Sequence, residues 1–205
     1  MRKRMIGLVL GSVLLWPAGA GAQVAWDSPF LLPPRPPGGF GVYLMEAAGG
    51  DLGVMVTFRG ERARGRPLGF RAGVAEDRPD ELAVFGGVDL SRMLGPARAD
   101  FPLDVALVGG AGLSVGEGGA LLSFPFGVSL GGTVRAEELV VAPYLTPRVV
   151  VDAFFDGDDV PDRDDDDLDL DLAVDIGVDL AFRRGWAIRF GATLGRDALA
   201  IGIVF

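Results

Sequence analysis

The sequence predicts an all-β chain whose strands close into an up-and-down antiparallel β-barrel of ten strands, with eight as the smaller alternative. Three observations predict it. From Phe40 onward, apolar residues alternate with small or polar ones at period two, segment after segment, between turn-like breaks. No segment carries the 3.6-residue apolar period of a helix. The two faces that the alternation defines also differ in kind, one continuously apolar and the other rich in Gly, Ala, Ser and Asp.

Ten segments read as strands: 40–47, 51–59, 67–76, 81–91, 102–115, 120–133, 138–154, 168–182, 186–194 and 198–205. Between them lie Gly49-Gly50, Arg78-Pro79-Asp80, Gly95-Pro96, Gly116 to Gly119 and Gly195-Arg196-Asp197, all of them breakers. On the apolar face stand Leu52, Val54, Val56 and Phe58, then Leu122, Phe124, Phe126 and Val128, and in the eighth segment Leu168, Leu170, Leu172, Val174, Ile176 and Val178. The opposite face carries Asp104, Ala106, Gly110, Gly112 and Ser114, then Asp169, Asp171, Asp175, Gly177 and Asp179. A soluble lipid-carrier barrel turns bulky charged side chains to water. Small residues instead suit a confined lumen where strands converge, which leaves the apolar face for lipid and makes the barrel transmembrane.

The ends and the composition narrow the setting. Arg2, Lys3 and Arg4 precede an apolar run from Met5 to Trp16 and the small residues Ala18 to Ala22, which reads as a secretory signal peptide over 1–22 cut after Ala22. Residues 23–39, with Pro33-Pro34-Arg35-Pro36-Pro37-Gly38-Gly39, read as a Pro/Gly-rich periplasmic leader: a linker or a segment packed against the barrel mouth, with a Pro-rich peptide ligand as the alternative. Residues 40–205 form the barrel. Without the three signal-peptide bases the 19 basic residues fall to 16 against 28 acids, a net charge of −12, so a nucleic-acid partner is not expected. The chain has neither Cys nor His. That removes disulfides, a Ser-His-Asp triad and the common zinc sites, so no enzyme is expected, Asp-only chemistry aside. After the signal peptide the longest uncharged stretch, Gly118 to Val134, contains Pro125 and five glycines, so it cannot be a spanning helix.

With these features in place the chain resembles small bacterial outer-membrane β-barrel proteins, through its signal peptide, its even number of alternating strands and its ending Leu199-Ala200-Ile201-Gly202-Ile203-Val204-Phe205. The resemblance covers about residues 40–205. It implies that Leu199, Ile201, Ile203 and Phe205 form the signal read by the barrel assembly machinery, although Ile203 stands where an aromatic is common. The implied setting is the bacterial cell envelope, in outer-membrane lipid, as a monomer. An even strand number puts both termini on the periplasmic side. Counting back from Phe205, 195–197 and the acidic segment 155–167 then lie outside, and Arg183 to Gly185 is a periplasmic turn. Phe40, Phe58, Phe70, Phe182, Trp186 and Phe205 all fall on the apolar face at periplasmic strand ends, as interfacial aromatics do.

Two candidate sites follow. Arg59, Arg71, Asp104, Arg148, Asp175, Asp179 and Arg189 fall on the inner face as a charge network, with Asp89 and Asp152 on the same face. A tight hairpin about Gly185 sets Asp179 opposite Arg189, and the pairing assumed for the seventh and eighth strands sets Arg148 opposite Asp175. Such a network narrows or plugs the lumen; the alternatives are a small cation-preferring, porin-like channel and a soluble periplasmic lipid-binding barrel. The second site is the loop after Phe155, where Asp156, Asp158, Asp159, Asp162, Asp164 and Asp166 offer oxygen ligands to Ca²⁺ or Mg²⁺. The EF-hand pattern fails there, with Pro161 in place of the required Gly and Asp167 in place of the bidentate Glu, so a solvated, repulsive loop is the competing reading. No other cofactor is expected.

Overall fold

A computed structural model of the chain describes residues 24–48, 50–60, 68–78, 81–117, 119–156, 168–183 and 185–205, apart from the side chains of Arg78 and Asp156. The strands are β1 (Gly39–Glu46), β2 (Leu52–Arg59), β3 (Leu68–Arg78), β4 (Glu81–Gly95), β5 (Asp104–Gly116), β6 (Gly119–Gly131), β7 (Val134–Arg135), β8 (Leu139–Asp156), β9 (Leu168–Phe182), β10 (Ala187–Leu194) and β11 (Ala198–Val204). Apart from β6 and β7, neighbours in sequence pair antiparallel; β1 pairs β11 and β6 pairs β8, so ten strands close into a barrel. The two-residue β7 pairs only with β8 and lies outside the ring. Among the described residues there is no helix.

The predicted strands are all present, because each combines an unbroken alternation with a breaker at both ends. Gly185 and Gly195 sit at φ of 85° and 89°, a region open to glycine and costly for other residues, and they place the two tight reversals flanking β10. The hairpin register about Gly185 sets Arg189 opposite Asp179, as read from the sequence. The β8–β9 register differs from the expected one by two residues. Thr146 stands opposite Asp175, and Arg148 stands opposite Ala173. A shift of two leaves every side chain on its own face, so the alternation could not exclude it.

Three prolines lie within paired strands, where the missing N–H breaks the ladder. Around Pro125 the β5–β6 pairing jumps from Gly109–Phe126 to Gly112–Ser123, and around Pro147 the β6–β8 pairing jumps from Gly127–Arg148 to Leu130–Leu145. Pro143 keeps its place opposite Val178.

Outward-facing positions are apolar and bare: Leu172 is 76% exposed, Leu170 67% and Phe58 52%. At the mouth where β1 begins and β11 ends, here the terminal mouth, aromatics run across adjacent strands. Phe40 faces Phe58 and Phe58 faces Phe70; Phe40 packs on Phe205 with ring centroids 5.7 Å apart, and Phe182 stacks on Trp186 at 4.1 Å. The six aromatics assigned from sequence thus share one rim. At the opposite, loop mouth, β8 and β9 outgrow their neighbour: Leu194 of β10 ends opposite Val174, leaving Asp169 and Asp171 beyond it.

Candidate functional site

Much of the inner wall of the ten strands is Gly, Ala and Ser, which leaves room between its few larger side chains. The segment before β1 fills it. Val24, Ala25, Trp26, Asp27, Ser28, Phe30, Leu31 and Leu32 are all buried, and several join wall residues Tyr43, Met45, Met55, Phe85 and Val108 in one core cluster. Thus the leader expected at or beyond a barrel mouth runs inside the barrel. Its signal in the sequence was Val24, Trp26, Phe30, Leu31 and Leu32, five large apolar residues within nine positions, too many for a solvated linker.

Glycines in the wall make room for this plug. A Cβ at Gly87 or Gly112 would fall inside van der Waals contact of the Trp26 ring, and one at Gly191 would meet Leu31. Trp26 donates its indole N–H to the Ser123 carbonyl at 3.2 Å, and Phe30 meets it edge-on with centroids 6.2 Å apart. Gly112→Val should therefore displace the indole at a cost of about 1–3 kcal/mol of stability. Its check is tryptophan emission, expected to shift to longer wavelength, together with a lower denaturation midpoint.

A plug with no ladder of its own needs partners for its backbone. The wall supplies them through the charges read from the sequence. Arg71 donates to the carbonyls of Pro29 (3.2 Å) and Phe30 (2.6 Å), Arg189 to that of Leu31 (3.1 Å), and Ser129 (2.7 Å) and Thr146 (3.3 Å) to that of Leu32. Four consecutive carbonyls are thus held by side chains. Leu31 turns there at a φ of 51°, a left-handed conformation that non-glycine residues adopt at a cost. Asp175 accepts the Phe30 N–H at 3.1 Å and a bond from Thr193 at 2.5 Å.

Arg148 is the centre of the network. Its Nε donates to Asp175 at 2.6 Å across the diagonal, its Nη1 pairs with Asp27 of the plug, and its Nη2 reaches the Asp27 carbonyl (3.2 Å) and the Ser28 hydroxyl (3.1 Å). The side chains of Arg148 and Asp27 are wholly buried. Arg189 grips Asp179 with two bonds of 2.5 and 2.7 Å, and Arg59 and Arg71 both pair with Asp89. The Arg71 guanidinium lies 5.3 Å from the Trp26 ring centre and 5.1 Å from that of Phe30, and Arg148 lies 5.3 Å from Phe30, adding cation–π attraction to the grip.

Both mouths are latched by residues that the sequence reading left out of the network. At the terminal mouth Arg35 forms a two-bond pair with Asp104 (2.6 and 2.7 Å), and the hydrogen bond raises the Arg35 pKa. At the loop mouth Arg196 reaches Asp27, Asp152 and Asp171; burial lowers its pKa, and Asp27 counters that effect. Asp27, Arg35 and Arg196 carried no periodic signal because they lie in segments without strand alternation.

Asp158, Asp159, Asp162, Asp164 and Asp166 lie outside the described residues, and Asp156 is described only as the last backbone position of β8. Among the described residues no cluster of His, Cys, Asp and Glu has the arrangement to hold a metal ion. Leu199, Ile201, Ile203 and Phe205, expected from the resemblance to form an assembly signal, all face outward on β11 or at its end.

The fold defines an antiparallel barrel of ten strands closed around an internal peptide. Searches of family models, curated proteins and solved structures found no match to this chain.

Proposed function

We propose that the chain is an outer-membrane β-barrel of a bacterial envelope, sealed by its own N-terminal segment, with a structural or surface-interaction role. The observation that carries this reading is the combination of an apolar, aromatic-rimmed exterior with a charged interior that is filled. In hydrocarbon every backbone polar group needs an internal partner, and a closed barrel meets that demand. In water the same exterior would leave a broad apolar surface exposed, far beyond the few hundred Å² usual for a soluble monomer.

The filled lumen argues for a seal against both rival readings. A channel needs a continuous water path, and a lipid carrier needs an apolar cavity; here Trp26, Phe30 and the arginine–aspartate pairs occupy the axis. On this reading the partners are outer-membrane lipid around the wall and the assembly machinery at β11. Fractionation should find the protein in the outer membrane, with heat-modifiable gel migration, and planar bilayers should record no steady conductance. Recovery from the soluble periplasmic fraction would sink the membrane reading, while a sizeable steady current would replace the seal with a channel.

A further inference from the structure

The plug has a direction, and it separates the two ends of the chain. Its first described residues lie at the loop mouth: the Ala25 N–H donates to the Ala48 carbonyl at 2.9 Å in the β1–β2 connection, and Ala25 packs with Ala48 and Ala198. A Cβ at Gly50, in the same connection, would press on Val24. Asp27, two residues on, bonds Arg196 of the β10–β11 turn at that mouth. The later part of the segment reaches the other end, where Pro34 lies against Gly131 and Arg35 binds Asp104. There β1 begins, and the Phe40 N–H and Phe205 carbonyl close the β1–β11 seam at 2.7 Å.

Residues 24–38 therefore cross the whole lumen before β1 turns back along the wall. Although β1 starts beside the end of β11, the described chain begins at the far mouth, with Val24 and Ala25. We infer that the N-terminal end of the processed chain is displayed on the cell exterior, threaded through its own barrel, while Phe205 remains on the periplasmic side. This rests on the outer-membrane reading for its sense of outside, whereas the threading rests on the contacts above.

The chain contains no cysteine, so an introduced one is a unique label. Three single variants of the full chain, Gln23→Cys, Asp197→Cys at the loop mouth and Arg183→Cys at the terminal mouth, are treated in cells with a membrane-impermeant maleimide before and after outer-membrane permeabilisation. Gln23→Cys should label on intact cells to the same extent as Asp197→Cys, with Arg183→Cys labelled at least tenfold less until permeabilisation. If Gln23→Cys instead follows Arg183→Cys, display is overturned while the membrane reading stands. If the two mouths label alike, or in reverse order, the membrane reading or its orientation fails and display falls with it. Threading itself is read on the purified protein from oxidative cross-linking of Ala25→Cys with Ala48→Cys, and of Ala25→Cys with Ala198→Cys. Cross-linking of either pair supports the path, and failure of both overturns it.

Discussion

Deleting residues 24–36 while retaining the export signal should turn an insulating barrel into a conducting one. The deletion removes Trp26, Phe30, Leu31 and Leu32, which pack in the core between the walls, and leaves a wall in which Gly, Ala and Ser alternate with charged groups and a few larger side chains such as Tyr43, Met55 and Phe85, its circumference fixed by the ladder. Water then enters and solvates the wall charges, so Arg148 and Asp175 need no plug partner to stay charged. The exposed lining carries Arg59, Arg71, Arg148 and Arg189 against Asp89, Asp104, Asp152, Asp175 and Asp179, with Arg196 against Asp169 and Asp171 at the loop mouth. Acids exceed bases, so the open form should prefer cations. Bilayer recordings in a salt gradient check both points: the full chain silent, the deleted one conducting with a reversal potential of cation sign. A deleted barrel that folds and still insulates would show that the seal lies elsewhere.

The second large effect is expected from Arg148→Met. Methionine replaces much of the guanidinium volume but none of its donors, leaving, among the described residues, Asp175 (1% exposed) with only the neutral donors of Phe30 and Thr193, and Asp27 (0% exposed) with Arg196 as its one remaining ion-pair partner. Breaking a buried pair from one side typically costs about 3–5 kcal/mol, a large share of a net stability of about 5–15 kcal/mol. The urea midpoint of the folded barrel in lipid should fall accordingly. Arg189→Met should cost less, because it strands the Asp179 carboxylate and one backbone carbonyl while the Arg148 clamp on the plug remains. Adding Asp27→Asn to Arg148→Met should recover part of the loss by removing one of the two buried charges that lose their Arg148 partner. No recovery would mean that packing around residue 148, rather than charge, governs the cost.

Much of this architecture was legible in the sequence. Period-two alternation with breakers at both ends specifies where a strand runs and which side chains face which way, since a slip of one residue would turn the aspartates of β9 outward and its leucines inward. The tight turn at Gly185 leaves no freedom in its hairpin, so the Asp179–Arg189 pair could be read in advance. The connection between β8 and β9 is long, and a shift of two residues there preserves both faces. For that reason Arg148 was matched with the right carboxylate through the wrong register, the pair forming diagonally instead of directly across.

The plug illustrates the remaining limit. Its apolar residues announced burial, yet no local rule says where an irregular segment will be buried. The strands, their faces, the aromatic rim and the charges turned inward all follow from the order of residues, because they rest on periodicities within a few residues of each other. That the lining leaves room for a peptide, that the segment before β1 is that peptide, and that Asp27, Arg35 and Arg196 complete the network emerges only in three dimensions. Those outcomes depend on a volume that exists only once the ring is closed, and on contacts between residues more than a hundred positions apart, such as Asp27 with Arg148.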